Sequence, residues 1–434
     1  MKAKLILIIL MMATCLSLAG QNLLDVAGSW DGAIAISGIE LGIEVDFTGS
    51  DPLTGTISIP MQGLHNAELR IREHIAQSVS FVLPIPGADA VFSGSRTGNV
   101  LSGSFEQAGM TGTFSLTKLD NARIAPPPSQ FVPENCTEEA LNLTTDTGEI
   151  KGSLMLPGNN AKRTVVLIVA GSGPTDRDGN SGLLPAKNNS LLMLAAGLAE
   201  QGIASLRYDK RGVGDSFAAM IEQSELSINT YAGDVAGWTR LLKADSRFDR
   251  VIVLGHSEGS LLGLIAAGET APDAFISLAG PGRNFADLLR SQLLREGSAF
   301  SPEEIDHILG EIRAGRLVNE IPEGLISVFN QAAQPYLTSS FAVSPTALIS
   351  ELNIPVLILQ GDHDIQVSTE DSELLHNACP TAEYRLITGM NHVLKPAPMD
   401  LAENMATYYQ PDLPLAEGLI EAITGFIGQH LLGH

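Results

Sequence analysis

Between Gly28 and Lys118 apolar and polar residues alternate in short segments broken by glycine and proline. Examples are Ile43-Glu44-Val45-Asp46-Phe47, Gly55-Thr56-Ile57-Ser58-Ile59, Val79-Ser80-Phe81-Val82-Leu83 and Thr111-Gly112-Thr113-Phe114-Ser115-Leu116. A two-residue period belongs to strands with one face buried. Residues 21–120 are therefore predicted to form a small antiparallel β domain, a barrel or half-barrel. Phe92-Ser93-Gly94-Ser95 is echoed by Leu101-Ser102-Gly103-Ser104-Phe105, and the two read as adjacent hairpin strands joined near Thr97-Gly98-Asn99. Trp30 is predicted to be a core plug rather than a ligand platform, because buried aromatics dominate small cores. His65 and His74 stand without a partner at metal-ligand spacing.

The stretch Ala125-Pro126-Pro127-Pro128-Ser129 has the stiff, extended composition of a linker, placed at residues 121–133. From residue 134 the rhythm changes. Continuous apolar runs at 165–169, 204–208, 251–254, 274–278, 356–359 and 384–387 alternate with segments of helix length. Strands buried on both faces and separated by helices describe an α/β domain with a mostly parallel, doubly wound sheet. Ligands of such sheets bind outside the carboxyl ends of the strands. Between Gly282 and Pro345 the alternation stops, and helices over Phe285 to Glu296 and Pro302 to Arg313 are predicted as a cap at about residues 283–345. The competing reading is a helical pair added to the outside of the sheet.

The run at 251–254 leads into Gly255-His256-Ser257-Glu258-Gly259 and then an apolar helical stretch. Strand, serine between two glycines, then helix is the signature of a nucleophile elbow. Small neighbours let strand and helix close on each other, and the first amides of the helix aim at the serine. Ser257 is the candidate nucleophile and the Glu258 N–H a candidate oxyanion donor. A serine needs a base, and the base needs an anion behind it. Of the six histidines after Ser257, only His363 and His392 directly follow a predicted strand, and His363 shares a loop with the acids. His392 is thus the candidate base. Spacing offers both Asp362 and Asp364 as the acid; Asp364 is preferred, with Asp362 as a turn residue bonding its own backbone. His256 is expected to pack rather than react. The second oxyanion donor should come from Ala170-Gly171-Ser172-Gly173-Pro174, from Ser172 or Gly173. Asp176, Arg177 and Asp178 either line the mouth of the site or pair with one another.

Composition narrows the partners. The 434 residues are 44% hydrophobic, and 26 Lys+Arg against 49 Asp+Glu give a net charge of −23. That charge repels phosphate backbones and anionic lipid, so no nucleic-acid partner is expected. Met1-Lys2-Ala3-Lys4, an apolar run to Leu18 and small residues at Ala19-Gly20 have the parts of a secretory signal over residues 1–20, which implies a periplasmic or extracellular protein. The apolar run is about 14 residues, short of the roughly 18–20 of a spanning helix. Membrane attachment would require the signal to be retained. Cys15 lies inside that segment in a poor lipidation context. Cys136 and Cys379 remain, enough for one disulfide, and are read as structural or free. No cofactor or metal motif is present in the sequence.

Five motifs carry a resemblance: residues 171–180 (GSGPTDRDGN), 208–214 (YDKRGVG), 255–259 (GHSEG), 360–367 (QGDHDIQV) and 391–395 (NHVLK). In this order they resemble the secreted bacterial α/β-hydrolases related to serine aminopeptidases and carboxylesterases, over about residues 137–430. The resemblance implies an α/β-hydrolase fold with Ser257 as nucleophile, Asp364 as acid and His392 as base. The N-terminal β module is similar to one that often precedes these hydrolases. The function expected is hydrolysis of carboxylic esters with a short acyl group. An aminopeptidase on small peptides is the alternative, with Asp176, Asp178 or Glu258 holding the substrate ammonium. A non-catalytic acyl- or glycan-binding protein on a hydrolase scaffold is the second.

Overall fold

The computed structural model describes residues 23–36, 39–59, 64–86, 88–107, 109–119, 131–158, 164–181, 187–295 and 299–431. Residues 1–20, expected to be a signal and including Cys15, and residues 121–130, expected to be a linker, lie outside them.

Eight antiparallel strands form the N-terminal domain: β1 Gly28–Ile36, β2 Ile39–Thr48, β3 Thr54–Ile59, β4 Leu64–His74, β5 Val79–Leu83, β6 Ala90–Thr97, β7 Val100–Gln107 and β8 Met110–Lys118. Each pairs with the next and β8 closes onto β1, giving a closed barrel. The internal echo is one hairpin, with Phe92 opposite Phe105 and Gly94 opposite Gly103. Alternation along the strands sends Trp30, Phe47, Phe81, Phe92, Phe105 and Phe114 into one core. Phe81 and Phe92 stack at 4.8 Å, and Phe114 meets Phe92 edge-on at 5.5 Å. Trp30 is buried, its indole N–H donating to the Val26 carbonyl. His74 bonds the Leu24 carbonyl.

The second domain is an eight-stranded sheet. Its strands are β9 Cys136–Thr145, β10 Gly148–Pro157, β11 Thr164–Val169, β12 Ala204–Tyr208, β13 Arg250–His256, β14 Ala274–Leu278, β15 Val356–Gly361 and β16 Glu383–Ile387, in the order β16-β15-β14-β13-β11-β12-β10-β9. Strands β11 to β16 run parallel, while β9 and β10 form an antiparallel hairpin on one edge. That hairpin is absent from the sequence reading because β9 is an exposed edge strand without a continuous apolar run.

The helices are α1 Ser190–Glu200, α2 Ile228–Ala244, α3 Glu258–Thr270, α4 Phe285–Leu293, α5 Pro302–Arg313, α6 Ile326–Phe329, α7 Gln334–Phe341, α8 Pro345–Ser350, α9 Thr369–Ala378, α10 Leu401–Ala406 and α11 Leu419–His430. Alternate residues of each central strand feed opposite cores, Val165 and Val253 with α2 and α3, Val166 and Ile252 with α1 and α11. Helices α4 to α7 carry a separate core of Ile305, Ile308, Ile312, Phe329 and Phe341. None of the described helices is long and apolar enough to cross a membrane.

Phe217, from the loop after β12, packs against the barrel core, and Leu64 of β4 bridges to Gly214 of the same loop. Between the two domains lies a crevice of about 970 Å³, bordered by Ile85 and Asp89 on the barrel and by Lys151, Arg177 and Met220 on the sheet side. Cys136 and Cys379 are both free.

Phe92 sits at the centre of the ring cluster. Phe92→Ala should destabilise the barrel by about 3–5 kcal/mol, the cost of emptying a buried aromatic site. Hydrogen exchange should show β5 to β8 losing protection while β11 to β15 keep theirs.

Candidate active site

At the end of β13 the chain turns into α3 through Ser257 alone, which adopts φ 57 and ψ −126. A non-glycine residue with this backbone is strained and persists only where its surroundings impose it. The imposing contacts are backbone to backbone. A Cβ on Gly255 would lie 2.2 Å from the Gly259 carbonyl oxygen, and one on Gly259 would lie 2.2 Å from that of Val169. Ser257 is thereby lifted onto the carboxyl edge of the sheet, at the N-terminus of α3, where the first helical amides have no intrahelical acceptor.

The three residues expected to act together meet there. His392 Nε2 is 3.0 Å from Ser257 Oγ, and His392 Nδ1 is 2.8 Å from Asp364 Oδ2. With a carboxylate accepting at Nδ1, the ring carries its proton on that nitrogen and leaves Nε2 free to accept from the hydroxyl. The Asp364 carboxylate is itself held: Oδ1 accepts from the Gln366 and Val367 amides at 2.7 and 3.0 Å, and Oδ2 also accepts from Gln360 Nε2 at 3.2 Å. Asp362 is elsewhere. It accepts from the Gly389 N–H at 2.6 Å, joining the acid and histidine loops rather than bonding its own turn as the sequence reading had it. His363 bonds the Ala397 carbonyl.

His256 packs beneath the base, its Nε2 donating to the His392 carbonyl at 2.8 Å. Burial, and then the neighbouring His392, push its pKa down to about 4, so it stays a neutral donor. The oxyanion loop borders the nucleophile through Gly171, where a Cβ would stand 3.1 Å from Ser257 Cβ and 3.6 Å from Oγ. Ser172 and Gly173 follow and are exposed. A Cβ on Gly173 would meet nothing within 4 Å.

The ion pairs of Arg177 and Asp178 are made with residues outside the Asp176-Arg177-Asp178 run. Arg177 bonds Asp209 at 2.6 Å and Asp215 at 2.8 Å. Asp178 pairs with the buried Arg207. Asp176 accepts from the Asp178 and Asn180 amides at 2.9 and 2.8 Å, and burial with the adjacent Asp178 charge raises its pKa. Glu258 is buried, its Oε1 accepting from the Tyr336 hydroxyl of α7 at 2.9 Å. Among the described residues no three His, Cys, Asp or Glu side chains group as a metal site.

Residues 188–289 match the family model described as serine aminopeptidase, S33. Esterase EstD of Thermotoga maritima is 28% identical over 251 residues, 57% of this chain and 57% of EstD, so the chain spans little more than half of that relative's length. Over these residues the chain is similar to serine aminopeptidases and to an esterase. Solved structures similar to this chain include Est1E from Butyrivibrio proteoclasticus with ferulic acid bound, 19% identical, covering 68% of this chain and 100% of that one at a TM-score of 0.48. The Pyrococcus furiosus esterase Pf2001 is 15% identical, covering 72% and 96% at 0.44.

Several residues around the candidate site carry no signal of their own in the sequence. Gln360 bridges the acid to the Val367 carbonyl. Asn391 ties the histidine loop to Asn404 and Thr407. Lys395 is buried and donates to the Leu413 carbonyl. Lys210 and Tyr336 flank the elbow. The available signal was positional, a charged or amide residue at the end of an apolar strand or just beyond it, as at Gln360 and Lys210, where burial makes a polar side chain costly unless it is bonded.

Gly255→Ala should cost about 1–3 kcal/mol or more, as overpacking against fixed backbone does, read as a lowered melting temperature. Burial pushes Lys395 from 10.5 down to about 8. Its folded state thus sheds a proton that the unfolded state keeps as pH climbs from about 8 towards 10.5, and stability must rise across that window. Across that window the melting temperature of wild type should rise relative to that of Lys395→Met, which lacks the increment.

Proposed function

We propose that this hydrolase cleaves carboxylic esters with short acyl groups by way of an acyl-enzyme. The observation that carries the reading is the continuous chain from Ser257 Oγ through His392 to the buried Asp364, at 3.0 and 2.8 Å. Ser257 Oγ attacks the acyl carbon while His392 Nε2 takes its proton. The carbonyl oxygen, now negative, accepts hydrogen bonds from the Glu258 N–H and from the loop after β11. Collapse expels the alcohol, which receives the proton from His392. Water then attacks the acyl group with His392 again as base, releasing the acid and restoring Ser257.

For the second donor we take the Ser172 N–H. It belongs to the peptide that begins at Gly171, whose Cβ position lies 3.6 Å from Ser257 Oγ. The ester reading is also supported by the state of the anions that a peptidase would need. Asp176 is held by backbone amides, Asp178 by Arg207 and Glu258 by Tyr336, so each is engaged by the protein. Export, and selection of acyl size by the helical insertion, are part of the proposal. The insertion touches both sides of the site, through Tyr336 at Glu258 and through Gln292 at the Gln366 carbonyl.

A fluorophosphonate should label the wild-type chain and neither Ser257→Ala nor His392→Ala. Turnover of p-nitrophenyl esters should fall with acyl length, and Asp364→Asn should lose about 10⁴ in kcat. Faster cleavage of an amide with a free amino terminus than of its matched ester would reverse the assignment to peptidase.

A further inference from the structure

Lys210 stands two residues past the end of β12 and its amine is fully buried. Its Nζ donates to the Gly171 carbonyl at 2.5 Å and lies 5.5 Å from the centre of the Tyr231 ring. Burying a cation is costly unless something uses it. Burial lowers its pKa, and the Glu258 charge opposes that shift and favours the protonated form. A methionine would fill the same space without the penalty.

We propose that Lys210 is a positioning residue of the oxyanion hole, acting through the Gly171–Ser172 peptide. This rests on the ester-hydrolase reading above. The carbonyl that Lys210 holds and the N–H offered to the oxyanion are the two ends of one peptide unit. That unit is trans, since the cis bond of the described chain is Asp51-Pro52, and in a trans peptide C=O and N–H point in opposite directions. Fixing the oxygen against the buried ammonium therefore turns the N–H away from Lys210. It also polarises the peptide: a charge-assisted bond at the oxygen draws electron density from the nitrogen and strengthens its N–H as a donor.

The other donor, the Glu258 N–H, is served by the same cluster. The Glu258 N–H points to the oxyanion, but the Glu258 carboxylate would oppose a negative charge there. It is held by the Tyr336 hydroxyl, with the Lys210 charge close enough to interact. Tyr231 and Tyr336 meet edge-on at 5.7 Å and wall the cluster from the α2 and α7 sides. Lys210 thus orients one donor and offsets the unwanted charge beside the other.

The test is Lys210→Met against wild type, with kcat and KM for p-nitrophenyl butyrate expressed per fluorophosphonate-titrated site. Affinity for an alkyl trifluoromethyl ketone, whose adduct places an oxyanion in the hole, is measured in parallel. We expect kcat to fall about 10- to 100-fold, less than the loss of a whole donor, with KM within about twofold. The ketone's inhibition constant should rise by the same factor. Lys210→Gln, which keeps an uncharged donor, should fall between the two and decides the matter if the methionine variant does not fold. Unchanged kcat per titrated site, or a change confined to KM, overturns the proposal and leaves Lys210 a structural residue. A wild-type chain that neither labels nor turns over ester overturns the hydrolase reading itself.

Discussion

Everything at the site depends on how closely α3 approaches the ends of β11 and β13. The approach is set where backbone meets backbone, at Gly255 against Gly259 and at Gly259 against Val169, with separations that leave no room for a methyl group. Ser257 takes up the resulting strain in its own backbone, at φ 57. Such strain survives only because the parallel strands on either side are buried on both faces and cannot yield cheaply. The two cores of the sheet are therefore part of the chemistry: they hold the hydroxyl above the sheet edge and the helix amides beside it.

Around that fixed point the other parts arrive on separate loops, each anchored by a buried polar residue. Gln360 and two backbone amides orient Asp364. His256 and the Asn391 network hold the histidine loop from below and from the side. Lys210 supports the oxyanion loop, and its own loop continues to Gly214 and Phe217, which touch the barrel. Tyr336 links the helical insertion to Glu258. The barrel and the insertion thus each connect to the segments carrying the proposed oxyanion donors, and the insertion also reaches the acid loop through Gln292 at the Gln366 carbonyl.

The alternation of the barrel strands and the unbroken apolar runs of β11 to β15 were legible because each period reports burial on one face or on both. The meeting of Ser257, Asp364 and His392 was legible because each follows a strand, and parallel strands bring those ends to one edge. The β9–β10 hairpin escaped, since an exposed edge strand has no apolar run to report. The partners of Asp176, Arg177 and Asp178 escaped for another reason. Arg207 and Asp209, which engage Asp178 and Arg177, lie some thirty residues along the chain at a neighbouring strand end. Lys210 stood within a recognised motif, but its bond to Gly171 is a product of sheet order, which places β12 next to β11.

The central claim is that Ser257 carries the acyl group between the two half-reactions. It is tested most directly by mixing enzyme with p-nitrophenyl butyrate, quenching in acid within the first turnovers, and mapping the acylated peptide by mass spectrometry. The account predicts one butyryl group, on Ser257, that accumulates and then decays as the acid is released. Turnover with no acyl adduct, or with the acyl group on another side chain, would contradict it.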